Sequence, residues 1–540
     1  MKKIVFLFIM FCFGNSLFAG QVTFPFPILG GELSNSAATC VDDIDAVMPR
    51  MRLLGLNTVL VPAYWEFIEP IEGQFDFTLT DRVIDKAREN DLKVIFLWFG
   101  AWKNSMSCYT PLWFKTDTKR FPRAMTKMGK PMEIACCFSE DVLQADNKAF
   151  GTFMRHLANK DKGTGTVIMI QIENEIGMLE DARDHSPLAE KTYRSQIPKK
   201  LWKVLDIRQP RTWLEYFGDD IYGEEKFMAY HYAKYVEQLA QTARSVYDMP
   251  LYVNAAMNSR GRQPGQYPSA GPLAHLIDFW HAGAPSIDLL APDIYDTGFQ
   301  GWVERYALPN NQLFIPESRC CVNSGVRAMY VFGEHNAIGF SPFAIDQATE
   351  TETESVTKAY DLIRQLFYLS SHRSWGLLFN QQDKECIIND NQTILTCRHF
   401  FTLPWDPRAT NGSEWPEGGG ILLKLDTNEY LLAGSGIVVS FATTYEKAFE
   451  DEKTLGEDGF VIEGEKDQKT NDTNQKSVAK LQKRFSGKRK GIASVDEVRI
   501  TPNGKLTYLR RENGDQDHQG RHARISCGEW KILHIKLYEY

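Results

Sequence analysis

The most informative segment of the chain is an apolar run, Thr166-Val167-Ile168-Met169-Ile170, that continues directly into Gln171-Ile172-Glu173-Asn174-Glu175-Ile176-Gly177. The run of aliphatic and β-branched residues predicts a buried strand. That strand therefore ends in a cluster of carboxylates and amides. Because acids without partners are costly to bury, the cluster is expected to line a cleft.

The same strand signal recurs along the first two thirds of the chain. From about residue 25 to residue 371, short apolar strand candidates alternate with longer helical candidates, a rhythm typical of parallel βα units. The predicted strands are Pro27–Gly31, Thr58–Pro62, Lys93–Trp98, Thr166–Gln171, Leu251–Asn254, Ile287–Ala291, Leu313–Pro316 and Ala337–Ser341. Predicted helices include Val41–Leu54, Thr80–Glu89, Glu224–Tyr247 and Glu354–Leu369.

Eight such units over roughly 350 residues predict an α/β fold, a TIM (β/α)8 barrel with long insertions. A doubly wound open sheet is the alternative. It is weakened by the absence of a Gly-rich phosphate turn after the first predicted strand.

The rhythm changes after about residue 375, where turn-rich, strand-like segments follow one another. They are Gly420–Leu425, Glu429–Ala433, Gly436–Phe441, Val498–Thr501, Lys505–Arg510 and Trp530–Tyr538. They predict a β-rich, sandwich-like accessory domain, with structural support and sugar binding as alternative roles. A polar stretch, Glu450–Gly491, interrupts it; its basic residues, among them Lys476, Lys480 and Lys483, indicate a solvated loop rather than a polyanion site.

The N-terminus has the pattern of a signal peptide. Lys2-Lys3 is the charged part, Ile4–Phe13 the apolar part, and Ala19 offers a small residue for cleavage. The apolar run is too short to span a bilayer as a helix, although a membrane anchor is the alternative, and no later segment resembles a span. The predicted domains are therefore residues 1–20 as signal peptide, 21–372 as catalytic barrel and 373–540 as accessory domain. The mature protein is expected to be exported, to the periplasm or outside the cell.

The composition limits the partners. The chain has 540 residues, 43% of them hydrophobic and 24% charged, with a net charge of −8. These values predict a globular protein of two or three domains and argue against nucleic acid as a partner. Nine of the ten cysteines would remain after cleavage, in no short repeated framework, and no Cys-x-x-Cys or His-Glu-x-x-His pattern occurs. No metal and no cofactor is expected, and the oligomeric state is left open.

Two acids at strand ends point to a chemistry. Glu175 ends the fourth predicted strand, and Glu317 follows the seventh, in Leu313-Phe314-Ile315-Pro316-Glu317. In a closed barrel of eight strands these positions face each other across the mouth. Cleavage of a glycosidic bond needs two carboxyl groups, and a separation of about 5–5.5 Å predicts retention of configuration. Glu317 would then be the nucleophile and Glu175 the acid/base, which requires a raised pKa at Glu175 and an ionised Glu317. Alternatively, either acid is structural; Glu173 is expected to be a supporting acid.

The motifs carry a family resemblance. Gln171-x-Glu173-Asn174-Glu175-x-Gly177 resembles the acid/base motif of glycoside hydrolase family 35, the β-galactosidases. The segment around the second strand is similar to the family's as well: Gly55-Leu56-Asn57, Trp65-x-Phe67-x-Glu69-Pro70 and Gly73-x-Phe75-x-Phe77. Gly30-Gly31-Glu32 resembles the opening strand. The resemblance spans roughly residues 25 to 345 and implies a TIM barrel of a large retaining clan, with Glu175 as acid/base and Glu317 as nucleophile.

Some positions depart from the family or need separate interpretation. Better-known members carry a sugar-contacting Glu where this chain has Ala101, so Trp102, Lys103 and Asn104 become the candidates for that contact. Residues such as His399-Phe400-Phe401-Thr402-Leu403-Pro404-Trp405 resemble the β-rich C-terminal domain of a bacterial branch. The resemblance implies that Tyr295 hydrogen-bonds the nucleophile and that Asn174 binds the sugar. Further candidates for the pocket lining are Glu32, Tyr64, Trp65 and Glu66, although core packing is the favoured alternative for Trp65.

The long insertions after the third and fourth predicted strands, Phe99 to about Val142 and Ile176 to about Tyr222, open on the face where barrel active sites lie. If they wall a pocket, they favour attack at chain ends; surface decoration is the alternative.

The sequence therefore predicts a retaining, exo-acting β-galactosidase that removes terminal β-galactosyl units from oligosaccharides or plant polysaccharide side chains. One alternative is a related retaining β-glycosidase for glucosyl, mannosyl or arabinosyl units. The other is a catalytically silent carbohydrate-binding protein.

Overall fold

The fold was obtained as a computed structural model that describes residues 21–258, 260–448, 487–512, 520 and 522–540. The predicted signal peptide and most of the polar stretch Glu450–Gly491 lie outside these residues. Among the helices of the described ranges, none has the length and apolar character needed to cross a membrane.

Eight parallel strands form a closed barrel, in which each strand pairs with its neighbours in the sequence and the eighth closes on the first. The strands are β1 Ile28–Glu32, β2 Thr58–Tyr64, β3 Lys93–Lys103, β4 Val167–Asn174, β5 Leu251–Ala256, β6 Leu289–Ile294, β7 Phe314–Ser318 and β8 Gly339–Pro342. The predicted TIM barrel is thus confirmed, and the open doubly wound sheet is excluded.

One principal helix follows each barrel strand. These helices are α1 Val41–Leu53, α2 Thr78–Glu89, α3 Glu140–Lys160, α4 Ile221–Val246, α5 Ile277–Gly283, α6 Phe299–Tyr306, α7 Ser324–His335 and α8 Glu350–Leu366. Short helices and a small two-stranded sheet, Arg123–Met125 with Pro131–Ala135, lie in the connections.

Helix α3 shows why these segments are helical and amphipathic. The Ser139 hydroxyl caps its first turn by accepting the Val142 N–H, and two acids follow the cap, where the helix dipole favours negative charge. Its buried side chains, such as Val142, Phe150, Phe153 and Leu157, recur at helical spacing and form the face that packs on the barrel.

Several strands run further than the sequence predicted. Strand β3 continues through a bulge to Lys103 instead of ending at Trp98, and β4 reaches Asn174 instead of Gln171. Strand β6 passes through Pro292 and ends at Ile294, and β7 includes Glu317. The predicted ends were wrong because polar residues were taken as the start of loops, whereas a barrel mouth keeps polar side chains on strand ends. The chemistry-bearing residues are therefore held by regular backbone.

The C-terminal part is β-rich, as predicted, and consists of two packed antiparallel sheets. Its strands are β9 Ser374–Phe379, β10 Glu385–Asp390, β11 Thr393–His399, β12 Gly418–Asp426, β13 Glu429–Ser435, β14 Ile437–Thr443, β15 Lys490–Ile500, β16 Leu506–Arg511, β17 His522–Ile525 and β18 Lys531–Glu539. Six strands form one sheet, in the order β9-β12-β13-β18-β15-β16, and four form the other, β10-β11-β14-β17. One hydrophobic cluster contains residues of both sheets, such as Leu422 and Leu533 from one and Leu395 and Val439 from the other.

The six-stranded sheet also packs on the barrel. Ile421, Leu431 and Ile532 of this sheet belong to the same hydrophobic cluster as Met329 of α7 and Ile363 of α8. At the edge of this contact, Arg327 donates two hydrogen bonds of 2.7 Å to the carboxylate of Glu417. The two parts of the chain therefore share a core, which gives the accessory domain a structural role.

All nine cysteines in the described residues are free thiols. Cys386 and Cys397 lie directly opposite each other in the β10–β11 hairpin. The vicinal pairs Cys136-Cys137 and Cys320-Cys321 are not bonded to each other.

The shared core makes a glycine on β9 sensitive to substitution. A Cβ added to Gly376 would lie 2.3 Å from the Tyr330 carbonyl oxygen and 2.7 Å from Glu334 Cβ. Overpacking of this kind costs about 1–3 kcal/mol, so Gly376→Ala is expected to lower the thermal unfolding temperature. The matched control is Gly301→Ala on α6, where an added Cβ meets nothing within 4 Å and helix propensity should add about 0.5–1 kcal/mol. Equal unfolding temperatures for wild type and Gly376→Ala would contradict the packing described.

Candidate active site

Four acids converge at the carboxyl end of the barrel. Glu32 ends β1, Glu175 follows β4, Asp293 lies on β6 and Glu317 on β7, and all four are buried. One carboxylate oxygen from each of Glu175, Asp293 and Glu317 lies within 4.8 Å of the others. The structure thus brings the two sequence-predicted acids, Glu175 and Glu317, together at the mouth.

The backbone around Glu175 leaves the regular strand conformation. Glu173 and Glu175 have φ angles of 59° and 46°, in the left-handed region that is uncommon for residues other than glycine. The Glu175 N–H donates a 2.9 Å hydrogen bond to Asn254 Oδ1 on β5, and its carbonyl accepts from the Ser105 N–H at 3.1 Å. Neighbouring strands therefore hold a strained conformation of the kind that concentrates at functional sites.

Glu175 has the properties of a general acid. Burial raises its pKa to about 7, and the negative charge of Glu317 adds to this, while the Lys103 charge and a hydrogen bond with Asp293 oppose it. Asn104 Nδ2 donates a 2.6 Å hydrogen bond to Glu175 Oε2 and fixes the carboxyl group. An acid that is partly protonated near neutral pH can both give and take a proton.

Glu317 is held in a different environment. The Tyr295 hydroxyl donates a hydrogen bond to Glu317 Oε1. Burial raises the pKa of Glu317 above its ordinary value, although the Lys103 charge and hydrogen bonds from Tyr295 and Glu32 oppose the rise. The pKa of Glu32 is raised well above its ordinary value, first by burial and then by the charge of Glu317, so Glu32 carries the proton of this pair. Glu317 is therefore the member of the pair that is ionised.

Lys103 and Asn174 place further polar atoms in the site. Lys103 Nζ donates to Asn174 Oδ1 at 2.9 Å, which orients the amide. Within the described part of the chain, the buried atoms Asn174 Nδ2, Glu317 Oε2 and the carboxyl oxygens of Glu32 have no hydrogen-bond partner apart from the contact between the two acids. An unsatisfied buried polar atom costs about 1–3 kcal/mol, so these atoms favour a ligand rich in hydroxyl groups.

Glu173 supports the site from behind. Its Oε2 accepts the Trp102 N–H at 2.7 Å, and its carboxyl contacts that of Asp146 on α3. Asp146 in turn accepts from Trp98 Nε1 at 2.9 Å and from the Tyr235 hydroxyl at 2.8 Å. Burial, and then the Asp146 charge, raise the pKa of Glu173 well above its ordinary value. Glu173 therefore anchors the end of β3, the segment that carries Lys103 and Asn104.

Some predicted sugar contacts lie elsewhere. The Trp102 side chain is fully buried, and its ring packs edge-on against Tyr232 and Tyr235, so the structure gives it a core position instead. The Tyr64 hydroxyl donates to the Asn35 carbonyl at 2.8 Å. Glu66 Oε2 lies 3.6 Å from Lys115 Nζ. Tyr64, the last residue of β2, and Glu66, in the short helix Trp65–Ile68 that follows, are thus engaged with neighbouring loops.

Sequence reasoning missed Asp293 and Asn254. Asp293 is the register partner of Glu317 on the neighbouring strand, and Asn254 Nδ2 donates to Asp293 Oδ2 at 2.6 Å. The available signal was an acid within an apolar segment, Ala291-Pro292-Asp293-Ile294, the same pattern that singled out Glu317.

Among the residues that the structure describes, two groups of side chains have donor atoms close enough together for a metal ion. One is Glu175, Asp293 and Glu317; the other is Asp181, His185 and Glu224. In the second group Arg183 already supplies a cation, with its Nε 3.2 Å from Glu224 Oε1. In the first group, the negative charge of the three carboxyl groups can be reduced by protons that they share as well as by a bound cation.

Comparison with protein families gives two matches. Residues 39–220 match the model of glycoside hydrolase family 42, described as beta-galactosidase, and residues 356–524 match a domain of unknown function, DUF5597. The first match contains two of the three segments on which the resemblance to family 35 was based, those at residues 55–77 and 171–177, and each match covers less than half of the chain. The matching model is thus that of family 42, and the prediction of family 35 is corrected. Residues 39–220, which include Glu175, are therefore similar to that beta-galactosidase model.

Solved structures with a similar fold include three beta-galactosidases. They come from the psychrophilic Marinomonas ef1 (12% identity, 63% of this chain and 60% of that chain), from Bacillus circulans sp. alkalophilus (14%, 64% and 56%) and, as a catalytic mutant of the GH42 enzyme Gan42B, from G. stearothermophilus (16%, 64% and 57%). The TM-score is 0.46 in each case, and the chain spans less than two thirds of their lengths. These similarities are too low to bear on function. A comparison with curated proteins found no match.

The buried Glu173–Asp146 pair predicts a dependence of stability on pH. Because burial raises the pKa of Glu173, the folded state keeps a proton that the unfolded state releases above about pH 4.3. The free energy of unfolding should therefore fall as the pH rises from there towards the pKa in the folded state. Glu173→Gln, which has no proton to lose, should show a shallower fall, measured by chemical denaturation between about pH 5 and 8.

The control for this experiment is Glu304→Gln, an exposed position on α6 that should leave the slope unchanged. Equal slopes for wild type and Glu173→Gln would show that Glu173 is ionised in the folded protein.

Proposed function

We propose that the protein is a retaining, exo-acting β-galactosidase. The observation that carries this proposal is the pair Glu175 and Glu317, of which one carboxylate oxygen each lies within 4.8 Å of the other at the barrel mouth. That spacing favours the double-displacement geometry over the inverting one, which needs about 6.5–9.5 Å to admit a water molecule. The sugar specificity is supported by the match of residues 39–220 to the model described as beta-galactosidase.

The first half of the reaction uses both acids. Glu317 attacks the anomeric carbon while Glu175 gives its proton to the leaving oxygen, and the glycosidic bond breaks. The pKa of about 7 at Glu175 means that the proton is available near neutral pH. The hydrogen bond from Tyr295 holds Glu317 in place for attack.

The second half reverses the proton transfer. Glu175, now a carboxylate, takes a proton from water, and the resulting hydroxide attacks the glycosyl carbon and releases Glu317. Two inversions at the same carbon give retention.

The polar atoms left without partners are proposed to hold the sugar. Asn174 Nδ2 is a donor next to Glu175, and the Glu32 carboxyl group, whose proton lies towards Glu317, offers an oxygen as acceptor. Lys103 fixes Asn174 and balances part of the negative charge, and Asn104 fixes Glu175. These residues are proposed to contact the terminal galactosyl unit.

The two long insertions support attack at chain ends, because they pack against each other. The His185 N–H donates to the Met125 carbonyl at 2.8 Å, and the Met125 N–H donates to Asp184 Oδ1 at 3.0 Å. Loops that follow β3 and β4 lie on the carboxyl face of a barrel, where such a wall closes one side of a pocket. A pocket of this kind fits terminal units of oligosaccharides or plant polysaccharide side chains.

The same proposal places the mature enzyme outside the cytoplasm. Its support is the N-terminal pattern, Lys2-Lys3 followed by the apolar run Ile4–Phe13.

Substitution of the two acids tests the assignment. Glu175→Gln is expected to lower kcat/KM on a galactoside with a poor leaving group by about 10²–10⁴-fold, because general acid catalysis is lost. The loss should be much smaller on an activated aryl β-galactoside, whose leaving group needs no proton. Glu317→Ala should abolish turnover of both substrates, since no nucleophile remains.

The control for both variants is Glu72→Gln, which removes an exposed acid paired with Arg120 and should leave kinetics unchanged. Near wild-type turnover by either active-site variant would refute the assignment. Aryl glucosides, mannosides and arabinosides should be tested in parallel. Faster turnover of any of them than of the aryl galactoside would assign the specificity to that sugar.

The stereochemistry of the product is a separate test. Proton NMR during the first minutes of hydrolysis is expected to show β-galactose before mutarotation, because two displacements restore the configuration. First appearance of the α anomer would mean an inverting reaction and would remove the nucleophile role from Glu317.

A further inference from the structure

Asp293 is a third carboxyl group beside the proposed catalytic pair, and the double-displacement mechanism does not need it. It is 1% exposed, and it lies in register with Glu317 across the β6–β7 contact. Its carboxyl group also contacts that of Glu175. A buried acid in this position brings a third negative charge into the site unless it carries a proton.

The hydrogen bonds around Asp293 indicate where a proton lies. Asp293 Oδ2 accepts from Asn254 Nδ2 at 2.6 Å, while Oδ1 has no recorded donor among the described residues. The neighbouring carboxyl group that contacts Asp293 is that of Glu175, whose Oε2 already accepts a hydrogen bond from Asn104. Two carboxyl groups form a hydrogen bond only when one of them is protonated. A proton on Asp293 therefore satisfies both acids at once.

We propose that Asp293 is a neutral carboxylic acid that donates its hydrogen bond to Glu175 and so acts as the positioning residue of the acid/base. Asn254 completes the arrangement, because its amide holds Asp293 with Nδ2 and the Glu175 N–H with Oδ1. Asn254 thus ties the side chain of one acid to the backbone of the other. The catalytic role given to Asp293 rests on the proposed function, whereas its protonation does not.

The charges that face Asp293 favour the neutral form. The titratable groups that act on it are Glu32 on β1, Glu175 after β4, Tyr252 on β5, Tyr295 after β6, Tyr306 on α6 and Glu317 on β7. The Lys103 charge on β3 acts on the other three acids. Four carboxyl groups thus share one lysine. Burial, followed by the charges of Glu317, Glu175 and Glu32, raises the pKa of Asp293 well above its ordinary value. A carboxylic acid kept neutral by its surroundings can serve as a hydrogen-bond donor.

The proton balance of the reaction follows. Glu175 gives its own proton to the leaving oxygen and becomes a carboxylate, and Asp293 keeps its proton and donates to that carboxylate. In the second half, Glu175 takes a proton from water, and Asp293 is unchanged. Asp293 therefore lowers the free energy of the ionised Glu175 and keeps its side chain aimed at the scissile bond.

The test compares Asp293→Asn with Asp293→Ala, because the two charge states of Asp293 predict opposite shifts in pH dependence. Asparagine can donate to Glu175 and accept from Asn254, so Asp293→Asn should keep kcat/KM within about tenfold of wild type. The basic limb of the pH profile of kcat/KM, where activity falls as Glu175 loses its proton, should stay in place. Alanine removes the donor, so kcat/KM should fall about 10- to 100-fold and the basic limb should move to higher pH.

An ionised Asp293 predicts the reverse, since loss of its negative charge in either variant would lower the pKa of Glu175 and move the basic limb to lower pH. That shift in Asp293→Asn would overturn the proposal. A structural role alone would change the rate without moving the limb in either variant, and that result would overturn it as well. The control is Asp278→Asn, which removes an exposed charge on α5 and should leave the profile unchanged.

A measurement that needs no turnover separates this inference from the proposed function. Carboxyl-carbon NMR of the full-length protein at neutral pH should show a signal from the protonated carboxyl group of Asp293. The signal is assigned to Asp293 because it should be missing from the spectrum of Asp293→Asn. If that signal is present and no aryl glycoside is hydrolysed, the proposed function fails and the protonated pair stands. If it is absent, or if added Mg²⁺ or a chelator changes it, Asp293 is ionised or binds a cation, and the inference is wrong.

Discussion

The burial of four acids around one lysine is the constraint on which the rest of the site depends. Glu32, Glu175, Asp293 and Glu317 cannot all be ionised in a space that excludes water, because desolvation and mutual repulsion act in the same direction. The site therefore holds protons at neutral pH. The distribution of these protons distinguishes the proposed acid/base from the proposed nucleophile: Glu317, whose Oε1 accepts from the Tyr295 hydroxyl, is ionised, and Glu175 is poised between its two states.

The barrel supplies the rigidity that this arrangement needs. Each acid lies at the carboxyl end of a different strand, and neighbouring strands fix the backbone between them. Glu173 and Glu175 both have left-handed backbone conformations; the carboxyl group of Glu173 meets Asp146 on α3, and that of Glu175 lies at the mouth. A second buried pair of acids thus supports the first from behind β3. The accessory domain stabilises the same barrel from outside, through the core that it shares with α7 and α8.

Much of the fold and part of the site were predictable from sequence, for a local reason. The alternation of apolar strands with amphipathic helices is a pattern of residues close together in the chain, so the barrel and the β-rich C-terminal part could be inferred from periodicity. Glu175 and Glu317 stood out because each acid follows an apolar run. Strand ends were less predictable: the bulge in β3 carries that strand to Lys103, which local polarity does not indicate. The family was also not fixed by short motifs, since the same segments fall within the family 42 match.

The sequence by itself thus determined the barrel, its order of units and the two acids at strand ends, because these follow from patterns along the chain. Only the tertiary structure decided which side chains meet. Asp293 and Asn254 became part of the site through the register of β5, β6 and β7, contacts between residues that lie far apart in the chain. Trp102 was placed in the core by its packing on Tyr232 and Tyr235 of α4. The charge state of each acid likewise depends on burial and on neighbours from other strands, quantities that exist only once the barrel has closed.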